Sequence, residues 1–452
     1  MLLTFLVSLL TLYIPPPAGQ SSFAWVWTPL GVAAMVGINA LAYWVGSRTA
    51  VRLSHSHADR MRAARIFKGL KMGIVAFVAL DVFFFEWPGF VMHVFTTGPA
   101  PGTPLVPLVG DVVLLLPVLI MIGTAMAFRY RFECRRAFAG GNGPALSLGR
   151  YLSLRFRTEL GILLLPWMLL VLVSDCSVLL WGESPYFAYI DTAVSIGLVA
   201  GLVSFGPLVL RVIWDTSTLP QGPLRSRLED LCEREGFGCR DILVWHTHKH
   251  IPNAAVIGFL PPLRYVMVTD SLLENCTDDE MEGIFAHEVG HVRQHHLRFY
   301  LLFALTYGCI FANVMELLGR TGLMEPLASA LSNDIGHGHA ILMLVFTVLF
   351  WVFGFGYVSR RMEQQADLYA LRKSKSPDAF ILALEKLSLL SGRPSRSGSW
   401  RHFSVWRRTR FLRRVLENPE VGARVHRRVF NLQMAVVALF VVGGVRLLLI
   451  YA

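Results

Sequence analysis

The chain has 452 residues, 54% hydrophobic and 16% charged, with a mean hydropathy of +0.51, which excludes an ordinary soluble protein of this length. Its net charge of +11 raises a nucleic-acid reading, but no basic stripe interleaved with aromatics accompanies a recognisable binding module, so the excess is assigned to a membrane surface. What remains is a polytopic α-helical membrane protein.

A helix needs about 20 apolar residues to cross roughly 30 Å of hydrocarbon with its backbone satisfied internally. In chain order such runs lie near 26–46, 70–90, 106–128, 159–181, 189–213, 297–318, 339–358 and 432–451, with a shorter one at 1–14, giving eight or nine spans. The opening "MLLTFLVSLLTLYIPPPAGQ" lacks the positive start of a secretory signal and reads as a retained, marginal span, a cleaved signal being the alternative.

Basic residues favour cytoplasmic loops. Arg52, Arg60, Arg62, Arg65 and Lys68 follow the first full span, and Arg131, Arg135, Arg136 and Arg150 follow the third. The loops "HVFTTGPAPGTP", "GESPYFAY" and "RTGLMEPLASALSNDIGHGH" carry almost no basic charge. The alternation predicts that 214–296 and 359–430 face the cytoplasm, from an inner or plasma membrane. Six cysteines without C-x-x-C spacing predict neither a disulfide nor a cysteine metal site.

Residues 1–213 therefore read as an N-terminal membrane region with five to six spans. From Pro223, "PLRSRLEDLCEREGFG" has the proline start and glycine stop of an amphipathic helix. "DILVWHT" and "RYVMVTDSLL" follow as strand-like runs separated by the turn-prone "GFLPP". In "TDDEMEGIFAHEVGHVRQHH", Thr277 and Glu280 fit a capping box, and Asp278 and Asp279 suit the positive end of a helix dipole. "RRMEQQADLYALR" is helical again. The pattern predicts one α+β domain in two parts, 214–296 and 359–430, split by a membrane hairpin at 297–358 and followed by a C-terminal span at 431–452.

His287 and His291 are four residues apart, so a helix projects both from one face, the arrangement in which two imidazoles ligate one zinc. Glu288 beside them suits a general base that takes a proton from water acidified by the metal, which implies amide hydrolysis. Chance is the alternative in a chain with 14 histidines. A catalytic zinc needs a third protein ligand, and Glu363, on a helix just after the hairpin, is the candidate; Asp367, one turn on, could accept a hydrogen bond from a ligating imidazole.

"AHEVGH" followed by "EQQAD" resembles the membrane-embedded gluzincins that include the HtpX-type proteases and the type 1 CAAX prenyl proteases. The resemblance covers roughly 220–415 and includes "PNAAVIG", "VTDSLL" and "WRHFSVWRR" in the family's order. It implies a zincin-like domain with one Zn2+ on His287, His291 and Glu363, and Glu288 as general base. It further implies that Asn253 and Ala254 belong to an edge strand pairing with the substrate, and that His402 and Arg408 hold the substrate carbonyl. Phe403 stands where a proline is usual. From its residues alone Arg408 would be one more member of a basic run with Arg407, Arg410, Arg413 and Arg414.

Other residues have plainer readings. His246, His248 and His250 read as a polar strand edge rather than a second metal site. His295 and His296 read as a continuation of the zinc helix meeting solvent or headgroups. Asp81, inside an apolar run, reads as a structural hydrogen-bonding group rather than part of a transport path.

The expected protein is a zinc-dependent membrane endopeptidase acting on membrane or membrane-associated polypeptides, with the bilayer as its other partner and no nucleic acid. A non-catalytic scaffold or transporter with a structural or absent zinc is the alternative; it leaves Glu288 unexplained. An intramembrane protease of the site-2 type would bury the motif in a span, whereas Asp278, Asp279, Glu280, Glu282 and Arg293 surround this one.

Overall fold

The computed structural model describes residues 27–52, 57–83, 86–95, 104–139, 146–331, 335–391 and 401–451, together with 5, 8, 12, 395, 396, 398 and 399. The expected short span at 1–14 lies outside them apart from 5, 8 and 12, as do the side chains of Asp81 and Cys134. The chain divides into two units, Met1–Leu202 with Glu325–Val345, and Val203–Met324 with Phe346–Ala452.

The first unit is helical, with α1 Trp27–Arg52, α2 His57–Phe83, α3 Trp87–Phe95, α4 Val109–Ala139 and α5 Leu148–Trp181, the last containing a π stretch at Phe156–Leu160. Tyr43, Ile74, Val78, Leu115, Met121 and Ile122 form its buried core. The Trp87 indole N–H donates to Leu114 O at 3.1 Å, so one large side chain buries its polar atom with a partner. α6 Phe187–Ile213 leads into the second unit.

Among the described residues, seven helices are long and apolar enough to cross a membrane: Trp27–Thr49, Val109–Tyr130, Leu148–Trp181, Phe187–Ile213, His296–Arg320, Ile341–Lys373 and Glu420–Ile450. The run expected to span at 70–90 includes residues 84 and 85, which lie outside the described ones. Arg65, Lys68 and Lys71 lie within α2, and Glu86, just ahead of α3, has φ 52°. Pro88, which has no N–H to donate, then lies in the first turn of α3.

In the second unit follow β1 Thr216–Thr218, α7 Pro223–Arg234, β2 Asp241–Trp245, β3 Ala254–Ile257, β4 Tyr265–Thr269, α8 Asp270–Asn275 and α9 Asp278–Arg293. After them come α10 His296–Arg320, α11 Met324–Leu331 (in the first unit from Glu325), and α12, which runs Ile335–Leu349, a π stretch Phe350–Phe355, and Gly356–Lys373. The chain closes with α13 Pro377–Leu390, α14 Val405–Glu417 and α15 Glu420–Tyr451. The last apolar run of the hairpin and the helix carrying Glu363 are thus one continuous helix.

The sheet order is β1-β2-β4-β3. β2 and β4 pair in parallel with Val244 opposite Val268, and β3 pairs antiparallel to β4 with Ala254 opposite Val268. β4 is buried at every residue, as suits a central strand covered on both faces. β3 is left with a free edge, and α9 packs beside it.

α9 begins with the expected capping box: the Thr277 hydroxyl accepts from Glu280 N, and the Glu280 carboxylate accepts from Thr277 N. Glu282, fully buried, pairs with Arg227 and Arg234 and so fastens α7 to α9. Two glycines let neighbouring helices approach α9 closely. A Cβ at Gly283 would stand 2.8 Å from Phe380 Cβ on α13, and one at Gly290 would stand 3.0 Å from Tyr369 Cβ on α12. Phe285, Val289, Met362, Leu368, Phe380 and Leu412 fill the core between these helices. Cys232 and Cys239, seven apart in sequence, face one another as free thiols, a neighbourhood that their spacing did not announce.

Candidate metal centre

One turn of α9 brings His287 and His291 onto the face that meets α12. Their Nε2 atoms are 3.3 Å apart. Glu363 on α12 completes a triangle, with Oε2 3.8 Å from His287 Nε2 and Oε1 3.5 Å from His291 Nε2. Two ligands bound tetrahedrally at 2.0–2.1 Å from zinc lie about 3.3 Å apart. The two imidazole nitrogens lie at such an edge length and each is 3.5–3.8 Å from one or the other Glu363 oxygen, close enough for one zinc ion to gather the three side chains, and the donor set is one that zinc uses. Among the described residues, this is the group of three such side chains whose ligand atoms all lie within 4.8 Å of one another.

The remaining atoms of the site orient these three. His287 Nδ1 stands 3.1 Å from Asp367 Oδ1, in contact though without the alignment of a full hydrogen bond. Asp367 is fully buried and held from its other side by Arg408, whose Nε and Nη2 donate to its two oxygens at 2.9 and 2.6 Å. Burial works against a charged His287, but the neighbouring Asp367 outweighs it and raises the imidazole's pKa. Burial holds His291 well below the usual histidine range, which leaves it neutral as a metal ligand must be.

Glu288 points toward the free edge of β3, where the Val256 N–H donates to its carboxylate. Burial pushes its pKa up to about 7, with Glu363 adding to the shift and His287 opposing it. That places the group where a general base works best at neutral pH. Burial disfavours the Arg408 cation, yet Asp367 more than compensates and raises its pKa above the ordinary arginine value.

Of the other expected site residues, Ala254 is the first residue of β3, and Asn253 precedes it with its N–H donating to Thr269 Oγ1 at 3.0 Å. His402 is half exposed, its Nδ1 3.0 Å from Glu363 Oε2. Both donor edges of Arg408 that the structure engages go to Asp367. Phe403 is ringed by the guanidinium groups of Arg360, Arg361 and Arg407, the last 4.3 Å from its centroid. His246 Nε2 meets Ser217 Oγ at 2.8 Å across the β1–β2 pair.

One expectation fails. His295 and His296 do not continue the zinc helix, because His295 takes a left-handed conformation with φ 57° and the chain turns there into α10. His295 stays exposed, but His296 swings inward and is 1% exposed, its Nδ1 2.9 Å from His291 Nδ1.

Residues 218–426 match the family Peptidase family M48. A protease HtpX homolog from Bacteroides fragilis is 28% identical over 171 residues, 36% of this chain and 51% of that protein. A CAAX prenyl protease 1 homolog from Arabidopsis thaliana is 28% identical over 226 residues, 46% of this chain and 52% of that protein. This chain resembles the HtpX and CAAX prenyl protease type of membrane metallopeptidase. It spans about half the length of the curated relatives it matches. The crystal structure of S. mikatae Ste24p aligns with a TM-score of 0.49 and 16% identity, covering 87% of this chain and all of that one. The M48 segment contains each residue of the metal triangle, together with Glu288, Asp367, His402 and Arg408.

Proposed function

We propose that the protein is an integral-membrane zinc endopeptidase that hydrolyses peptide bonds of membrane or membrane-associated polypeptides, with one zinc ion per chain on His287, His291 and Glu363. The observation that carries this reading is the cluster of His287, His291 and Glu363, whose candidate ligand atoms all lie within 4.8 Å of one another, beside a carboxyl whose pKa is raised to about 7.

When bound, zinc supplies Lewis acidity that polarises the substrate carbonyl and acidifies water. Glu288 takes the proton from the attacking water and hands it to the nitrogen of the leaving amine, two transfers that suit a carboxyl poised near neutrality. The free edge of β3, reached through Asn253 and Ala254, pairs with the substrate main chain as an added strand. His402 donates toward the carbonyl oxygen as negative charge develops on it, and the Arg408 cation, held by Asp367, adds to the field at the same place. Asp367 steadies His287.

We read 214–296 and 359–430 as two parts of one metallopeptidase domain, separated by the hairpin 297–358. The alternation of basic loops supports an active site facing the cytoplasm. The test is cleavage of an unfolded reporter protein by the detergent-purified chain, with zinc measured in parallel. Glu288→Gln is expected to keep zinc and lose hydrolysis, and Glu363→Ala to lose both; full activity in either variant overturns the proposal.

A further inference from the structure

His287 has an evident orienting partner in Asp367, whereas His291 has none that the motif foretells. A buried chain of hydrogen bonds begins at the far side of its ring. His291 Nδ1 lies 2.9 Å from His296 Nδ1, and His296 Nε2 lies 3.0 Å from Gln365 Oε1. The Gln365 amide nitrogen in turn donates to Gln294 Oε1 at 3.1 Å and faces His426 Nδ1 at 3.3 Å.

The proton positions in this chain follow from the groups themselves. An amide oxygen only accepts, so His296 Nε2 carries the hydrogen it shares with Gln365. A neutral imidazole protonated at Nε2 presents a lone pair at Nδ1, so the hydrogen between the two rings belongs to His291 Nδ1. His291 is then left with a lone pair at Nε2, the atom that faces His287 and Glu363.

We infer that His296 and Gln365 are positioning residues that lock His291 into the tautomer and ring orientation required of a metal ligand, an inference that rests on the zinc reading above. His296 opens α10 as the chain enters the hairpin, and Gln365 lies on α12 after the chain leaves it. The relay therefore joins the two ends of the hairpin beside the metal ligand, and the ligand is ordered only when those ends meet.

The experiment measures zinc affinity by competition with a chelating dye, and the visible absorption of the cobalt-substituted protein, for wild type, His296→Leu, His296→Asn and Gln365→Leu in detergent. Partners of this kind are worth roughly 10–100-fold in metal affinity. His296→Leu and Gln365→Leu are expected to weaken zinc binding at least tenfold and to alter the cobalt spectrum. His296→Asn, which keeps an acceptor toward His291, is expected to recover most of both. Affinities and spectra equal to wild type in the two leucine variants overturn the inference while leaving the zinc site standing. Leucine variants that bind weakly with no recovery in His296→Asn overturn it too, since bulk packing then explains the loss. A wild-type chain that binds no zinc overturns the zinc reading itself.

Discussion

Gly290 lies between Glu288 and His291 in the motif, and replacing it with alanine tests how closely α9 and α12 must approach. The added methyl would stand 3.0 Å from Tyr369 Cβ and 3.1 Å from Cδ1, whereas carbon atoms sit comfortably at about 3.5–4.0 Å. Tyr369 cannot simply turn aside, because its hydroxyl is bonded to Glu235. The two helices must therefore part by about half an ångström or more. Two opposing effects set the stability change. Alanine is the better helix former by about 1 kcal/mol, and overpacking costs about 1–3 kcal/mol, so the net loss is at most about 2 kcal/mol. The metal centre is less tolerant, since site geometry must hold within about 0.5 Å and Glu363 rides on the displaced helix. We expect Gly290→Ala to weaken zinc binding by about tenfold or more, about 1.4 kcal/mol, read by chelator competition, with only a modest change in melting temperature. A variant that melts higher than wild type and binds zinc equally well refutes the reasoning, because helix propensity then acts alone and the interface has room to spare.

Breaking the buried Asp367–Arg408 pair from either side leaves an uncompensated charge, so Asp367→Asn and Arg408→Leu are each expected to cost about 3–5 kcal/mol. The double variant should cost much less than their sum, measured by denaturation of the metal-free protein; strict additivity would mean that the two do not act as a pair. Glu288 sets a pH dependence in the protein stripped of metal by chelator. Its folded pKa of about 7 lies above the ordinary 4.5, so the folded state holds more protons than the unfolded state between these values, and stability falls as pH rises through that window. Glu288→Gln should remove this fall, its advantage over wild type growing from pH 4.5 toward 7; parallel melting curves across the range would contradict it.

The parts of the site that were legible in the sequence are those fixed by local geometry. A spacing of four on one helix puts His287 and His291 on a common face regardless of what surrounds them, and Thr277 with Glu280 fixes where that helix starts. Glu363 and Asp367 were put forward from the order of motifs, on the expectation that a hairpin returns the chain to its point of departure. His296 was not, since its inward turn depends on a left-handed backbone at His295, a conformation uncommon outside glycine that the motif does not signal. The partners of Arg408 were equally hidden: a guanidinium in a basic run looks alike whether it faces solvent or a buried carboxylate forty-one residues earlier in the chain.

The division of the proposed metal ligands between α9 and α12 bears on how the protein is made. Synthesis proceeds from the N-terminus at about 5–20 residues per second, so both histidines emerge well before the carboxylate that completes their set. In the interval the apolar residues of α10 and of the first part of α12 must enter the bilayer. A nascent chain stalled anywhere in that interval holds two ligands and a base but no third donor. On the reading proposed for this protein, hydrolytic competence is therefore postponed until insertion is finished, which shields the translocation machinery and neighbouring nascent chains from a protease assembled too early.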